Sequence, residues 1–394
     1  MRASRFLALI VLVTLVFASV VGCTPGEASK PEAKPATPPP PPEIKIGVYE
    51  PMTGSSAAGG QMTWEGIQLA NKLYPQVLGQ KVVLYLEDNK TDKSEAANCV
   101  TRLIDQKKVV AIIGSYGSSL SIAGGQICKT KQIPAVGCSP TNPLVTKDNP
   151  YYFRVCFIDP FQGKVMAKYA ASNLKAKTAV IIKNVQDDYA VGLANYFKEA
   201  FIALTGNPKA ILTELGYNTG DQDFTAQLTK TASLKPDVVF APGNYGDSAI
   251  MIRQARTLKI NAPFLGGDTW EAPDFIDIGK QAVEGATFST HYAVAATGSE
   301  VSKKFVEAYK AEYKKDPNAF AALGFDAYLV ILEAIKTSGK ADPAAITQAL
   351  VKTKDFKGVT GTITMDQNHD ANKSAVILQV KNGKFEYLTT VEPF

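Results

Sequence analysis

Short hydrophobic runs alternate with longer amphipathic segments from residue 44 to residue 292. A short apolar run bounded by polar turns predicts a buried strand, whereas apolar residues spaced three and four apart predict a helix. The pattern starts afresh near residue 161, so two α/β units of similar size follow one another. Predicted strands cover residues 44–50, 82–88, 109–114, 134–137 and 151–157 in the first unit, and 178–184, 210–217, 237–243, 263–267 and 284–292 in the second.

Helical spacing fills the intervals between these strands, at residues 60–74, 93–107, 118–131, 161–174, 188–205, 223–233 and 247–258. Three more helices are predicted after the second unit, at residues 300–314, 319–338 and 343–352, and they need a sheet to cover. If these helices return to the first unit, the chain crosses between the units more than once and forms a hinge. The tail predicts strands at 361–365, 375–380 and 385–390, the last two joined by a hairpin at Asn382-Gly383.

Polar turns follow two neighbouring strands of the first unit. The strand at 109–114 leads to Ser118 and Ser119, and the strand at 134–137 leads to Ser139 and Thr141. Because the carboxyl ends of parallel strands meet at one edge of a sheet, these turns are expected to lie side by side where ligands bind. Ser118 and Ser119 are predicted to cap the helix that follows, whose free N–H groups suit a small carboxylate. The simpler alternative is that both turns only cap helices and end strands.

Residues 1–43 are predicted to lie outside the folded body. Arg2 and Arg5 precede an apolar run that ends at Gly22-Cys23, which is typical of a secretory signal peptide over residues 1–22. The run of about 16 apolar residues is short for a membrane span, and an uncut anchor is the alternative. Residues 24–43 are rich in Pro, Ala, Lys and Glu, so residues 23–43 predict an extended tether that starts at Cys23. The mature protein is therefore expected outside the cytoplasm.

The composition argues against several classes of function. A 45% hydrophobic and 20% charged content is that of an ordinary globular protein. The net charge of +5, with no Lys/Arg cluster interleaved with aromatic residues, argues against nucleic acid as a partner. The two histidines, His291 and His369, belong to no nucleophile motif, and no phosphate-binding glycine loop occurs. We therefore expect no enzymatic activity, no cofactor and no metal site.

Four cysteines follow Cys23 in the chain: Cys99, Cys128, Cys138 and Cys156. Outside the cytoplasm an even number of cysteines permits two disulfides. Cys99 and Cys128 fall on successive predicted helices, and Cys138 and Cys156 lie near two strand ends, so these are the preferred pairs. Free buried thiols are the alternative.

A series of short motifs shares its order and spacing with one known family. The motifs are Ile46-Gly47 with Thr53-Gly54, Ile113-Gly114 with Ser118-Ser119, Ser139 to Pro143, Phe153-Arg154, Asp159 to Gly163, Asp188-Tyr189 with Gly192, Arg253-Gln254-Ala255 and Gly266-Gly267-Asp268. Together they resemble the branched-chain amino-acid type of ABC-transporter substrate-binding lipoprotein, a type I periplasmic binding protein. The ending Val20 to Cys23 is similar to the lipobox of bacterial lipoproteins, whose cysteine is acylated.

The resemblance implies an α/β fold of two lobes, each a parallel-sheet sandwich, joined by a hinge that the chain crosses several times. Lobe 1 is expected to hold residues 44–161 and 291–370, and lobe 2 residues 162–290 and 371–394. The lobes of this family close on one ligand, with no covalent chemistry. The resemblance therefore agrees with the absence of any enzymatic motif.

The resemblance also implies roles for single residues. Ser118 and Thr141 are expected to hold the α-carboxylate of an amino acid, and the Asp268 carboxylate and the Ser139 carbonyl to hold its ammonium. Tyr189 is expected to cover the ligand from the second lobe. Further predicted ligand contacts are Tyr116, Ser119, Asn244, Tyr245 and Trp270.

The implied partners are an amino acid, the permease of an ABC importer, and the membrane through a lipid on Cys23. A monomer is expected. Leucine-binding relatives usually carry a tyrosine near Ala58, where this chain has only small residues, so the ligand stays open. A ligand-sensing module for an amide or an aromatic acid, docking to a membrane receptor, would use the same two lobes and is the alternative function.

Overall fold

The structure, a computed structural model, describes residues 42–296 and 298–394. The predicted signal peptide (residues 1–22), Cys23 and the tether as far as residue 41 lie outside the described residues. Within the described part of the chain, no helix is both long enough and apolar enough to cross a membrane.

The first sheet, as far as the chain is described, has six strands. They are β1 (Ile44–Glu50), β2 (Gln76–Val77), β3 (Gln80–Asp88), β4 (Ala111–Ile113), β5 (Ala135–Gly137) and β6 (Tyr152–Arg154). Their order is β2-β3-β1-β4-β5-β6, and each neighbouring pair is parallel except β2 with β3. The helices of this part are α1 (Ala57–Leu73), α2 (Lys93–Asp105) and α3 (Ser118–Lys131). α1 shares one hydrophobic cluster with the sheet, and α2 and α3 share another, because successive strand residues face opposite sides.

The remaining strands are β7 (Ala179–Asn184), β8 (Ile211–Tyr217), β9 (Val238–Phe240), β10 (Phe264–Gly266), β11 (Thr287–Thr290), β12 (Phe356–Gly358), β13 (Gly361–Ile363), β14 (Ala375–Lys381) and β15 (Lys384–Val391). The second sheet has the order β15-β14-β11-β10-β9-β7-β8, while β12 and β13 pair separately. β7 to β11 run parallel, and β14 and β15 add an antiparallel edge. Asn382 and Gly383 join β14 to β15 with positive φ angles of 52° and 67°, as the predicted hairpin requires.

Helices cover both faces of the second sheet. They are α4 (Asp159–Lys168), α5 (Asp188–Thr205), α6 (Thr225–Leu234), α7 (Tyr245–Thr257) and α8 (Pro273–Gly279). α4 and α5 share one hydrophobic cluster with the sheet, and α6, α7 and α8 share the other. Each lobe is therefore an α/β sandwich, as predicted.

The last helices return to the first sheet. They are α9 (Glu300–Tyr313), α10 (Ala319–Ser338) and α11 (Pro343–Val351), and their apolar side chains lie in the same cluster as those of β1 and β4. Within the described residues the chain passes between the two sheets after β6, after β11 and between β13 and β14. Several crossings of this kind make a hinge, which confirms the predicted multi-crossing connection.

Several strands are shorter than the hydrophobic runs that predicted them. The run at 151–157 contributes only β6, and Val155, Cys156 and Phe157 are buried without belonging to a strand. Apolar character marks burial, whereas a strand also needs a neighbour to pair with. The short elements α8, β2 and β12 were not predicted, because two to seven residues are too few to show a repeating hydrophobic pattern.

The four cysteines within the described residues are free thiols, and all four are buried. The predicted disulfides Cys99–Cys128 and Cys138–Cys156 are therefore not formed in this structure. Burial raises the pKa of the Cys99 and Cys128 thiols to about 12. These side chains act as small apolar residues in the hydrophobic clusters of the first lobe.

Candidate ligand-binding site

A cavity of about 120 Å³ lies where the carboxyl ends of the two parallel sheets face one another. Its walls come from the loops after β1, β3, β4 and β5 on one side, and after β7, β8, β9 and β10 on the other. The lining residues are Ser55, Ser56, Thr91, Lys93, Tyr116, Gly117, Ser118, Ser119, Leu120, Ser139, Asn184, Gln186, Asp187, Tyr189, Thr219, Asn244, Asp247, Asp268 and Thr269. An engineered cavity of about 150 Å³ holds a benzene molecule. This cavity is thus of the size that admits a small organic ligand.

The amino-terminal end of α3 forms one wall of the cavity. Gly117 is its N-cap, with φ at 89°, a backbone conformation that favours glycine. Gly117 has no side chain to cap the helix, and among the described residues no group accepts a hydrogen bond from the N–H of Ser118, Ser119 or Leu120. Free N–H groups and the helix dipole together make a site for an anion. A ligand carboxylate can be satisfied here.

The prediction that Ser118 and Ser119 cap α3 was wrong, because both are helical residues that use their hydroxyls elsewhere. The Ser118 hydroxyl accepts a hydrogen bond from the N–H of Asn142 at 3.1 Å. The Ser119 hydroxyl lies 2.8 Å from the Asp187 carboxylate and 2.9 Å from that of Asp188, across the cleft. Ser119 therefore joins the two lobes.

The loop after β5 forms the adjoining wall. Ser139 lines the cavity, is 5% exposed, and has no hydrogen-bond partner for its hydroxyl among the described residues. Thr141 is fully buried and lies outside the cavity lining, where its carbonyl accepts a hydrogen bond from the N–H of Asp159 at 2.9 Å. The structure thus brings Ser139 to the cavity and places Thr141 behind the wall.

A buried carboxylate faces these donors from the second lobe. Asp268 is 2% exposed and accepts hydrogen bonds from the Tyr189 hydroxyl at 2.9 Å and the Gln162 amide at 2.8 Å. Its second oxygen lies 3.2 Å from His291 Nε2. Burial lowers the pKa of His291 despite the neighbouring carboxylate, so the imidazole is neutral at pH 7. Among the described residues no permanent cation pairs with Asp268, and such a carboxylate suits a ligand ammonium.

Polar contacts between the lobes close the cavity. The Tyr116 hydroxyl donates to the Asn244 side chain at 3.2 Å, and the Asn244 amide donates to the Ser56 hydroxyl at 3.1 Å. The Lys93 ammonium lies 2.9 Å from the Asp188 carboxylate. These bonds cross from the loops of the first sheet to those of the second, so the described lobes are closed on one another.

Besides Thr141, two more predicted ligand contacts lie outside the cavity lining. Tyr245 is 4% exposed and accepts a hydrogen bond from the N–H of Ala58 at 3.2 Å, where the lobes meet. Trp270 is fully buried and stacks on Phe275, with ring centroids 4.7 Å apart. Its large apolar ring packs in the core of the second lobe and does not line the cavity.

The structure adds two acidic residues that the sequence did not single out. Asp187 and Asp247 both line the cavity, beside the polar side chains of Gln186 and Thr219. Burial raises the pKa of Asp187. Burial, together with the Asp187 and Asp221 carboxylates, raises the pKa of Asp247 to about 6. In the sequence both residues look like ordinary acidic residues at helix starts, a pattern that many surface helices share.

Comparison with protein families identifies the fold. A family model described as "Periplasmic binding protein" matches residues 43–384. This chain belongs to the periplasmic binding protein family. Members of the family are solute-binding proteins that act outside the cytoplasm, and this periplasmic binding protein is accordingly not an enzyme.

Known relatives place this periplasmic binding protein among those of branched-chain amino-acid ABC transporters. It is similar to the leucine-binding protein LivK of Thermotoga maritima, with 45% identity, a TM-score of 0.86, and coverage of 89% of this chain and 99% of that one. It is similar to the branched-chain amino-acid transporter substrate-binding protein LivJ of Streptococcus pneumoniae, solved with isoleucine, with 32% identity, a TM-score of 0.83, and coverage of 89% and 100%. The Leu/Ile/Val-binding protein BraC3 of Rhizobium johnstonii is 30% identical over 343 residues, which are 85% of this chain and 91% of the relative.

Proposed function

We propose that this protein captures an amino acid in the cavity between its lobes and delivers it to the permease of an ABC importer. The observation that carries this proposal is that one wall of the cavity offers hydrogen-bond donors and the facing wall offers a carboxylate. Free N–H groups at the start of α3 face one side, and the Asp268 carboxylate, without a permanent cation among the described residues, faces the other. An amino acid carries the complementary pair, a carboxylate and an ammonium, and both must be satisfied once water is excluded.

The bound ligand is oriented by these walls. Its carboxylate accepts hydrogen bonds from the N–H groups of Ser118 and Ser119, and its ammonium lies between Asp268 and Ser139. Tyr189 covers the ligand from the second lobe while its hydroxyl holds Asp268 in place. Thr141 acts behind the wall, through the backbone of the loop that carries Ser139.

Capture proceeds by hinge closure between lobe 1 (residues 44–161 and 291–370) and lobe 2 (residues 162–290 and 371–394). In the open form the first lobe offers the α3 amides, and closure adds Asp268 and Tyr189. The Ser119 bonds to Asp187 and Asp188 form at the same time. Ligand and lobe contacts thus stabilise the same closed state, which is the requirement for a ligand-driven shift.

The mature protein works as a monomer outside the cytoplasm. Signal cleavage leaves Cys23 at the amino terminus, where a lipid holds the protein on the membrane. The proline-rich tether then keeps the folded body clear of the surface, because such a segment is extended. An extended tether lets the cleft open and close beside the permease.

Thermal unfolding of the mature Cys23→Ser protein tests the proposal. The panel holds leucine, isoleucine, valine, polar and basic amino acids, and small aromatic acids. A ligand that binds only the folded state at about 100 times its dissociation constant stabilises the protein by about 2.7 kcal/mol. We expect such a stabilisation with at least one amino acid. No stabilisation by any amino acid contradicts the proposed function.

Asp268→Asn tests the predicted ammonium site. The substitution leaves a buried ammonium without its carboxylate, so binding is expected to weaken by about 3–5 kcal/mol. Asp277→Asn is the matched control, because Asp277 is exposed and pairs with Lys280 at 3.8 Å on the surface. Equal affinities for Asp268→Asn and the control contradict the assigned site.

A further inference from the structure

The charges around the cavity are not balanced by the protein. Three carboxylates, those of Asp187, Asp247 and Asp268, belong to its lining. Lys93 is the one cation among the described lining residues, and its ammonium already pairs with Asp188 at 2.9 Å. A neutral zwitterion brings one charge of each sign and leaves this excess of negative charge unchanged.

Neither the Asp187 nor the Asp247 carboxylate forms an ion pair within the described residues, although the nearby Lys93 ammonium partly offsets the effect of burial on the pKa of Asp187. Asp187 caps α5 and accepts hydrogen bonds from the Ser119 hydroxyl at 2.8 Å and the N–H of Tyr189 at 3.3 Å, both neutral donors. Asp247 lies in the first turn of α7, half-buried, and accepts no hydrogen bond from any described residue. Of the two acids, Asp247 is therefore the one without a donor from the described chain, and closure of the cavity over a ligand leaves its carboxylate in need of a donor or a cation.

The polar groups of Asn184, Gln186 and Thr219, which line the cavity beside these acids, form hydrogen bonds with one another. The Asn184 amide donates to the Thr219 hydroxyl at 2.8 Å, and the N–H of Thr219 donates to the Gln186 side chain at 3.1 Å. Leu120 is the one aliphatic residue among the described residues that line the cavity. The rings of Tyr116 and Tyr189 also line the cavity and can pack against an alkyl chain, but an uncharged aliphatic side chain would give Asp247 no hydrogen-bond donor.

An independent feature marks the same cavity as a ligand site. The Ser139 hydroxyl is 95% buried, lines the cavity, and has no partner in the described chain. Buried polar groups in folded proteins are almost always hydrogen-bonded. The unpartnered hydroxyl comes from the first lobe and faces the cavity that Asp268 lines from the second, so it is available to a polar group of a ligand there.

We propose that the ligand is a basic amino acid whose side-chain ammonium or guanidinium lies against Asp187 and Asp247. This inference rests on the proposed capture of an amino acid and names its class. The α-carboxylate and α-ammonium keep the sites at α3 and Asp268, and the second cation neutralises the remaining acidic wall. The assignment differs from the ligands that the names of LivK, LivJ and BraC3 give for those relatives.

Isothermal titration of the mature Cys23→Ser protein with arginine, lysine, glutamine, leucine, isoleucine and valine tests this assignment. We expect arginine or lysine to bind at least about tenfold more tightly than the uncharged amino acids. Asp247→Asn should weaken that basic ligand by about tenfold or more, and by a larger factor than it changes the affinity for leucine. Asp268→Asn should weaken every amino acid, and Asp277→Asn should weaken none.

The outcomes separate this inference from the function on which it rests. If leucine, isoleucine, valine or glutamine binds more tightly than both basic amino acids, the inference is wrong and capture of an amino acid stands. An unchanged affinity of Asp247→Asn for arginine and lysine also contradicts it. If none of the six binds while another amino acid stabilises the protein against thermal unfolding, only the inference is wrong, and if no amino acid stabilises the protein, both proposals are wrong.

Discussion

The guanidinium of Arg154 lies 2.5 Å from the Asp370 carboxylate, Nε to Oδ1, in the interior of the protein. The same guanidinium donates through Nη1 to the carbonyls of Pro140 and Asn142, at 2.7 and 2.8 Å. Asp370 belongs to the segment that crosses from β13 to the second sheet, and Pro140 belongs to the loop that carries Ser139. One side chain therefore links a crossing of the hinge to a wall of the ligand cavity.

Arg154→Met is expected to destabilise the protein by about 3–5 kcal/mol, because it leaves Asp370 buried without its cation. Urea unfolding measures the loss. Arg154→Met with Asp370→Leu should lose less than the sum of the two single substitutions, since no charge remains unpaired. Lys280→Met is the control, because it breaks an exposed pair and should cost no more than about 1 kcal/mol. A loss for Arg154→Met as small as for this control contradicts the structural role.

Ser119→Ala is expected to weaken ligand binding through the closed state. The substitution removes a hydroxyl that bonds to Asp187 and Asp188 across the cleft. A hydrogen bond to a charged group contributes about 1.5–3 kcal/mol, which should appear as a higher dissociation constant and as a larger radius of gyration at limiting ligand. Calorimetry and small-angle scattering measure the two quantities.

Ser233→Ala is the matched control for this substitution. Ser233 is exposed on α6, and its hydroxyl donates only to the carbonyl of Lys230 within the described residues. Its removal should change neither affinity nor closure. If Ser119→Ala binds the ligand as tightly as Ser233→Ala, the bonds across the cleft do not stabilise the closed form.

Glu271 should make the protein less stable as the pH rises from about 5 to 7. Burial raises its pKa to about 7, although its carboxylate accepts hydrogen bonds from Thr290 and from the N–H of Ala319. In the unfolded chain the group titrates near 4.5, so between these values the folded state holds one more proton. Stability then falls with rising pH, by up to about 3 kcal/mol for this residue.

Glu271→Gln isolates that contribution. Glutamine keeps the shape and does not titrate, so the difference in unfolding free energy between pH 5 and pH 8 should shrink by an amount of the same order. Urea unfolding at a series of pH values measures it for both proteins. An identical pH dependence for the variant and the natural protein contradicts the assignment.

Local patterns predicted the long elements well. α5 and α10 begin and end at the predicted residues, because a capping side chain precedes each, from Asp187 and Asn318, and a glycine follows each. The short elements depend on pairing between distant segments, which no local pattern contains. The disulfides failed for a related reason, since an even number of cysteines says nothing about whether two sulfur atoms meet.

The sequence predicted that the site lies at the carboxyl edge of the sheets, but it did not predict every residue that lines the cavity. Ser118, Ser139, Tyr189 and Asp268 line the cavity, as expected for turns at the carboxyl ends of parallel strands. Trp270 follows Asp268 by two residues and turns into the core, because its ring is large and apolar. Which side of a turn faces the ligand depends on packing from other elements, and adjacency in the sequence does not reveal it.

Cys23→Ser is expected to release the mature protein from the membrane without changing its affinity for the ligand. Cys23 follows the predicted signal peptide and lies far along the chain from the residues that line the cavity. A diacylated cysteine carries two chains, which is enough for stable anchoring, whereas a single chain binds membranes only weakly. Palmitate labelling and membrane fractionation measure the anchor, and calorimetry of the released protein measures the affinity. Ser29→Ala, in the same tether, should stay labelled and membrane-bound. A Cys23→Ser protein that still takes up palmitate contradicts acylation at this cysteine, and a natural protein that takes up no palmitate but stays in the membrane fraction favours an uncut amino-terminal anchor.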